Sequence, residues 1–289
     1  MSSDSILVKV KQLRELTGVG FKDCKLAIDE NSGDLEKSVE FLRKKGIAKA
    51  NKKMERTASD GLVSIEQNNN KFSIIEINSE TDFVAKNIEF SNFAQEVSKI
   101  NLNKLGIMEN IMISKMSNKK TVNENLISLI AKIGEKITIT RSEYLGDDNC
   151  FNFSYVHSSS QKNVGKIGVL LSLKSTKSKI ELTELGKQLS MHIAALSPLA
   201  IDKDGIDQKI LDKEKEIITE ELKNSGKDPK IIDKIALGKI NKFVNDNTLL
   251  NQDWIMEPKK KVKEVIKDFS EDKTVDVVKF VRFKVGEKF

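Results

Sequence analysis

Two stretches of this chain carry the same order of predicted elements: two short strands followed by one long helix. In the first stretch, a hairpin is predicted over residues 62–77 around an asparagine-rich turn, and a helix from about residue 81 to 100. In the second, strands over 151–156 and 164–173 precede a helix over 182–196. The repeated order indicates an internal duplication, so we expect two α+β units.

The segments around the first unit are predicted to be helical. The unit itself is expected to continue with a helix over 122–133 and a strand over 137–144. Before it, three short helices are predicted within residues 1–46, with Asp34 capping the third and Gly46 ending it. The first helix has apolar residues at helical spacing, expected to face inward: Ile6, Val10, Leu13 and Leu16.

The last third of the chain is predicted to contain a projecting helical hairpin. Residues 206–245 are polar with a narrow apolar seam, and their predicted turn has Gly226 as C-cap and Asp228 as N-cap. The chain then returns to a final strand over 275–285. The basic run at 258–263 is interpreted as the solvated start of the preceding helix.

The expected fold class is therefore α+β and multidomain, with antiparallel sheets. The predicted division comprises a three-helix domain (1–46), a linker (47–59), a first core subdomain (60–145), the first part of a second (146–205), the helical hairpin (206–245) and a C-terminal return module (246–289).

Composition favours a cytoplasmic protein. Of the 289 residues 38% are hydrophobic and 32% charged, and no run approaches the roughly 18 apolar residues that a bilayer span needs. The start at Met1 lacks the features of a secretory signal. Cys24 and Cys150 lie far apart without metal-type spacing, which fits a reducing compartment.

The charge distribution leaves two rival functions open. The net charge is +6, and residues 1–56 hold 13 basic against 9 acidic side chains, with a similar excess at 258–289. A basic excess is typical of RNA- or ribosome-binding proteins. Here the bases are interleaved with acids and few aromatics accompany them, which favours solvated helix faces. A docking adaptor built on the three-helix domain is the second rival.

Catalytic chemistry finds little support in the sequence. The chain has no phosphate-binding loop of the G-x-x-x-x-G-K-[ST] type. His157, in a predicted turn, and His192, in a predicted helix, have no metal-ligand neighbours at suitable spacing, so no metal site is predicted. Ser190 lies beside His192 without an evident third member of a triad, although triads assemble through space.

The segment from Glu80 to Lys86 is unusual because a large aromatic follows an acidic residue at a predicted helix start. Ser79 and Asp82 have the spacing of a capping box. Phe83 lies seven residues before Phe90, and that spacing favours a core position for it. The functional alternative is an exposed wedge beside an acidic anchor, whose burial at a partner would contribute roughly 1.5–3 kcal/mol.

At this segment the chain resembles the elongation factor Ts family. Residues 81–87 (TDFVAKN) are similar to that family's signature, and further similar motifs follow its order along the chain: LRELTGVGFKDCK (13–25), GDLEK (33–37), LRKKG (42–46), GKIGVL (165–170), MHIAA (191–195), WIMEP (254–258) and VRFKVGE (281–287).

The resemblance implies a first domain of the ubiquitin-associated type and a protein that binds elongation factor Tu and strips its GDP, with no cofactor and no need for nucleic acid. It implies that Thr81, Asp82, Phe83 and Val84 displace the partner's Mg²⁺, and it therefore favours the exposed wedge over the core position for Phe83. Further partner contacts are implied at Lys25, His157, Ile255 and Met256. The family's usual Pro-Phe pair is replaced here by Asp253-Trp254, which puts that contact in question.

Overall fold

The computed structural model describes residues 3–53, 55–159, 161–223 and 229–287. Up to residue 145 its elements are α1 (Ser3–Thr17), α2 (Phe21–Glu30), α3 (Leu35–Lys53), β1 (Asp60–Asn68), β2 (Lys71–Ser79), α4 (Asp82–Ala85), α5 (Ile88–Asn103), α6 (Met108–Ile113), α7 (Val122–Ile133) and β3 (Ile137–Leu145). They continue with β4 (Phe151–His157), β5 (Val164–Gly165), β6 (Ile167–Ser175), α8 (Lys179–Leu196), α9 (Gln208–Lys223), α10 (Pro229–Asn247), β7 (Asp253–Trp254), β8 (Glu257–Lys261), α11 (Val262–Ser270) and β9 (Val275–Lys284).

Helices and antiparallel sheets together confirm the predicted α+β class. One sheet has the order β3-β2-β1-β5, a second has the order β4-β6-β9, and β7 and β8 form a small hairpin. The predicted asparagine turn joins β1 to β2, and Asn69 takes a positive φ of 54°, which asparagine tolerates. The helix α6 had no counterpart in the sequence prediction.

The three N-terminal helices enclose a small core of their own, made of Val10, Leu13, Cys24, Ala27, Ile28 and Leu42. Asp34 caps α3 as predicted, since its Oδ1 accepts a hydrogen bond from the Lys37 backbone at 3.0 Å. The inward position predicted for Leu16 is wrong, because 71% of this residue is exposed.

Gly46 does not end α3, contrary to the prediction. The helix continues to Lys53 and includes the start of the predicted linker, because it packs lengthwise on α7. A Cβ placed on Gly46 would lie 3.3 Å from the Cβ of Ala131, and Arg43 pairs with Glu124 of α7 at 2.7 Å. Gly46 therefore permits a close approach of two helices, and this packing outweighs its weak helix propensity.

The prediction of one strand over 164–173 is also wrong. Val164 and Gly165 pair with β1, whereas β6 begins at Ile167 and pairs with β4 and β9. The chain therefore changes sheets at Lys166, whose Nζ donates hydrogen bonds to the Asp60 carboxylate and, at 3.0 Å, to the Gly61 carbonyl. Strand periodicity in the sequence does not reveal which sheet supplies the partner.

The predicted repeat of two strands and a helix is present twice, and the duplication extends to a third strand. In both units the third strand (β3 or β9) pairs antiparallel with the second strand of the hairpin. The two sheets also pack on each other through a shared apolar cluster that includes Val63, Ile74, Leu170 and Phe283. A Cβ on Gly168 would lie 2.6 Å from the Val63 side chain, so glycine allows this contact.

The helix predicted over 81–100 is two helices. Asn87 interrupts it by capping α5, since its side-chain oxygen accepts hydrogen bonds from the backbone of Glu89 at 2.8 Å and Phe90 at 3.4 Å. The capping box predicted for Ser79 and Asp82 is absent. Ser79 is the last residue of β2, and its hydroxyl donates instead to the Thr81 carbonyl at 2.9 Å.

The C-terminal third contains the predicted helical hairpin. Helices α9 and α10 pack together, with Leu211, Ile218 and Leu222 buried along the seam. The predicted turn at 225–228 lies outside the described residues. The basic run at 258–263 was wrongly assigned to a helix start, because Glu257–Lys261 forms β8 paired with β7, and α11 begins only at Val262.

Separate apolar clusters lie under the first sheet, under the second sheet and within the helical hairpin. The limits of the domains themselves stay a prediction. In the part of the chain that the structure describes, no helix combines the length and apolar character required to cross a membrane.

Candidate functional site

The short helix α4 presents an exposed phenyl ring directly before two buried residues. Val84 and Ala85 are buried in the first core cluster, whereas 78% of Phe83 is exposed. The core position favoured by the spacing of Phe83 and Phe90 is therefore wrong, and the exposed position favoured by the family resemblance is confirmed. Because Asn87 separates α4 from α5, the two rings do not lie on one face of a continuous helix. Phe90 is fully buried, and Phe83 faces solvent.

Asp82 and Lys86 form an exposed ion pair beside this ring. Lys86 Nζ lies 2.6 Å from Asp82 Oδ2 and 5.9 Å from the centre of the Phe83 ring. The hydrogen bond from Lys86 lowers the pKa of Asp82, and the same bond raises the pKa of Lys86. Both groups therefore stay charged near neutral pH. An exposed pair contributes little to stability, so both remain available to a binding partner.

The residues before Phe83 are fixed by the loop that joins α7 to β3. Glu135 accepts two hydrogen bonds from Thr81, one from the backbone nitrogen at 3.0 Å and one from the hydroxyl at 2.8 Å. Glu80 accepts a hydrogen bond from the Lys136 backbone at 2.6 Å, which lowers the Glu80 pKa. No feature of the local sequence around Thr81 pointed to Glu135, because 54 residues separate them.

Three of the other predicted contact residues meet in one pocket of the second core unit. His157 at the end of β4 and Ile255 and Met256 in the turn between β7 and β8 line a cavity of about 480 Å³. The same cavity is lined by residues that the sequence interpretation did not include: Tyr155, Ile167, Met191, Ala194, Ala195, Ser197, Arg282 and Lys284. Most of its lining is apolar; Arg282 is nearly buried and pairs with Glu287 at 2.8 Å, whereas Lys284 is exposed.

A hydrogen bond within the pocket orients His157. The Tyr155 hydroxyl lies 3.0 Å from His157 Nδ1, and the rest of the imidazole is exposed. Ile255 and Met256 are both about two-fifths exposed at the tip of their hairpin. An exposed apolar tip beside an oriented imidazole is typical of surfaces that bind protein partners, so this pocket is a candidate docking surface.

Buried His192 supports the turn that carries Ile255 and Met256. Its Nδ1 accepts a hydrogen bond from the Ile255 backbone at 3.3 Å, so the ring proton lies on Nε2, which donates to Gln252 at 3.0 Å. Burial lowers the pKa of His192, so the ring is neutral. Trp254 stacks on it with ring centres 5.2 Å apart.

The structure shows where each residue of the Asp253-Trp254 pair lies. Trp254 is buried in the second core cluster, while Asp253 faces solvent and pairs with Lys261 at 2.6 Å. The aromatic member of the pair therefore packs in the core.

The remaining predicted contact, Lys25, is exposed on α2 and lines neither site. Cys24 and Cys150 are free and buried. Among the described residues, no three His, Cys, Asp or Glu side chains lie close enough together to hold a metal ion.

Taken together, these features define a multidomain α+β protein with a projecting helical hairpin and two candidate docking surfaces. A family model described as Elongation factor TS matches residues 80–287, beginning one residue before Thr81. The chain is 42% identical over 281 residues to an elongation factor Ts of Xanthobacter autotrophicus, covering 96% of this chain and 91% of that protein.

Two further relatives of the chain carry the same family name. An elongation factor Ts of Rickettsia typhi is 42% identical over 284 residues, and one of Maricaulis maris is 38% identical over 283 residues, each covering 96% of this chain and 91% of the relative. The chain belongs to the elongation factor Ts family, a family of translation elongation factors.

Proposed function

We propose that this protein binds GDP-loaded elongation factor Tu and promotes release of the nucleotide, so that GTP can bind. The observation that carries the proposal is the exposure of Phe83 in α4, where the next two residues, Val84 and Ala85, are buried. An exposed phenyl ring contributes little to the stability of this fold, but its burial at a partner would contribute roughly 1.5–3 kcal/mol.

In this mechanism the Phe83 ring enters between elements of the partner's nucleotide domain, while Asp82 and Lys86 supply charge at its edge. The intrusion shifts the loops that hold Mg²⁺ and the phosphates. Since Mg²⁺ neutralises much of the phosphate charge at such sites, its loss weakens GDP strongly. No bond is made or broken, so the protein acts as an exchange factor and not as an enzyme.

Thermodynamic linkage makes the nucleotide and the exchange factor weaken each other's binding to the partner, and the excess of GTP over GDP sets the direction of the cycle. If this protein weakens GDP on the partner by some factor, GDP must weaken this protein's binding by the same factor. Excess GTP then displaces the exchange factor from the nucleotide-free complex, which lets one molecule serve many partner molecules.

The pocket of His157, Ile255 and Met256 is proposed as a second contact with the same partner. Its apolar walls would receive an apolar element, and the exposed Lys284 would favour acidic groups near it, whereas Arg282 is already paired with Glu287 at 2.8 Å. Lys25 on α2 is proposed as a third, peripheral contact. Such contacts hold the complex together while α4 acts on the nucleotide site.

The proposal is tested by measuring release of a fluorescent GDP analogue from elongation factor Tu at substoichiometric amounts of this protein. Phe83→Ala is compared with Ile180→Ala, which removes an 87% exposed apolar side chain near the start of α8. We expect wild type to accelerate release, Phe83→Ala to lose about 10- to 100-fold of that acceleration, and Ile180→Ala to match wild type.

Other outcomes of the GDP-release assay would contradict parts of the proposal. If Phe83→Ala is as active as wild type, exchange does not depend on this ring. If wild type has no effect on a competent partner, the exchange function is wrong. Steep salt-dependent RNA binding without a partner protein would then support the RNA-binding alternative.

A further inference from the structure

The direction of the Phe83 ring is set by the backbone of α4, because the ring itself is hardly packed. A helix of four residues is too short to be stable alone, so its geometry must come from contacts at its ends. At its C-terminal end Val84 and Ala85 are buried in the core. What fixes its N-terminal end therefore decides where Phe83 points.

That end is held by Glu135. Both carboxylate oxygens of Glu135 are used by Thr81, Oε2 by its backbone nitrogen at 3.0 Å and Oε1 by its hydroxyl at 2.8 Å. Thr81 is the N-cap of α4, yet its side chain makes no cap bond within the helix. Its hydroxyl is committed to Glu135, and its carbonyl accepts a hydrogen bond from Ser79 at 2.9 Å.

The segment at 80–81 and the loop at 134–136 each donate hydrogen bonds to the other. While Glu135 receives hydrogen bonds from Thr81, the adjacent residue Lys136 donates its backbone nitrogen to Glu80 at 2.6 Å. Glu135 itself follows Gly134, which ends α7 in the left-handed conformation with φ of 87°. The loop at 134–136 therefore connects the residues that precede α4 to the C-terminal end of α7, which is packed in the core.

We infer that Glu135 is a positioning residue for nucleotide exchange, acting through Thr81 to orient Phe83. This inference rests on the proposed function and adds a residue to it. A pre-oriented ring loses less conformational freedom when it enters the partner than a ring on a mobile loop. Glu135 touches no partner in this role, and its loss lets α4 reorient while the core stays folded.

A purely structural role makes a different prediction, since it would cost stability without affecting exchange. The chain contains a matched control in Glu181, whose Oε2 accepts hydrogen bonds from the backbone nitrogen and the hydroxyl of Ser178, both at 2.7 Å. The groups that donate to Glu181 are of the same kind as those of Thr81 that donate to Glu135, but they lie at the start of α8, in the second core unit.

The experiment uses the full chain and measures GDP-analogue release over a range of exchange-factor concentrations. The maximal rate and the half-saturating concentration are obtained separately for wild type, Glu135→Ala, Glu135→Gln and Glu181→Ala, and urea unfolding is measured for each. We expect Glu135→Ala to lower the maximal rate by about 10-fold, the equivalent of one hydrogen bond to a charged group. Glu181→Ala is expected to stay within about twofold of wild type.

Two further variants sharpen the result. Glu135→Gln keeps one acceptor oxygen and should recover part of the lost rate. Thr81→Val removes the hydroxyl, and when it is combined with Glu135→Ala the two losses should not add, because both changes break the same contact.

The inference is overturned if Glu135→Ala keeps the wild-type maximal rate, or if Glu135→Ala and Glu181→Ala both lose rate in proportion to their loss of stability. In those cases wild type still accelerates release, so the proposed function stands. A wild-type protein that fails to accelerate release overturns the proposed function and this inference together.

Discussion

The two core units share a topology and differ at the junction between hairpin and helix. In the second unit β6 ends at Ser175 and α8 begins at Lys179, joined by residues 176–178. In the first unit β2 ends at Ser79 and α5 begins at Ile88, so residues 80–87 lie between them. The longer junction contains α4 and with it Phe83.

The shorter junction shows what the fold alone requires. Ser178 and Glu181 form a reciprocal capping box there, which satisfies the first backbone groups of α8 within one turn. In the first unit Asn87 caps the start of α5. The additional residues of this junction form α4, whose N-terminal end is fixed by hydrogen bonds from Thr81 to Glu135. In a duplicated fold, the departure from the shared pattern therefore marks the candidate site.

The largest expected effect separates the two aromatic residues that flank the break at Asn87. Phe90→Ala removes a fully buried ring and should lower the free energy of unfolding by roughly 3–5 kcal/mol. Phe83→Ala removes an exposed ring and should change it by less than about 0.5 kcal/mol. Urea unfolding of both variants measures the difference.

A destabilisation of Phe83→Ala comparable with that of Phe90→Ala would show that Phe83 is packed in solution. The comparison between the two junctions would then lose its basis.

The next effect concerns how closely each long helix lies on its hairpin. Helix α5 has a fully buried alanine, Ala94, whereas α8 has Gly186, and a Cβ there would lie 2.4 Å from the Phe153 ring. Gly186→Ala should therefore destabilise the protein by about 1–3 kcal/mol through overpacking. Thermal or urea unfolding checks the sign and size.

Gly238→Ala in α10 is the matched control. Among the residues that the structure describes, and apart from the backbone of α10 itself, no heavy atom lies within 4 Å of a Cβ at Gly238, so the substitution should stabilise by up to about 1 kcal/mol through helix propensity. Equal effects of the two substitutions would show that α8 can move away from Phe153 without cost.

The smallest effect is the pH dependence of the Ser178 cap. Hydrogen bonds from the Ser178 backbone and hydroxyl lower the pKa of Glu181 from its usual 4.5 to about 2. A lowered folded-state pKa contributes stability that is complete above the unfolded value and is lost as pH falls. The stability difference between wild type and Glu181→Gln should therefore be constant above about pH 5 and shrink towards pH 2.

Urea unfolding of both proteins across that range makes the measurement. A difference that does not change with pH would contradict the cap, and the second junction would then not be closed by its own residues.

Local structure followed closely from the sequence in several places. The hairpin of β1 and β2, the helix α7, the cap at Asp34 and the final strand were predicted from periodicity, turn residues and capping residues, all of which act within a few residues. The same local rules failed at Gly46, Lys166 and Asn87. At Gly46 and Lys166 a contact with a distant segment overrode the local preference, and at Asn87 one side-chain cap divided a helix that periodicity had joined.

The candidate site divides in the same way. The segment Thr81–Val84 and the exposure of Phe83 were predicted from the family motif, although spacing alone favoured the core. The contacts from Thr81 to Glu135 that hold the segment were not predicted. The pocket of His157, Ile255 and Met256 joins residues about a hundred positions apart, and only packing brings them together.

The sequence by itself determined the α+β class, the duplicated order of elements and the family, since these depend on patterns and motifs along the chain. The tertiary structure alone decided that Asn87 divides the helix after Phe83, that Glu135 holds Thr81 and that β5 joins the other sheet. The physical reason is range: hydrophobic periodicity and capping act between neighbours, whereas burial and hydrogen bonding across 54 residues exist only once the chain has folded.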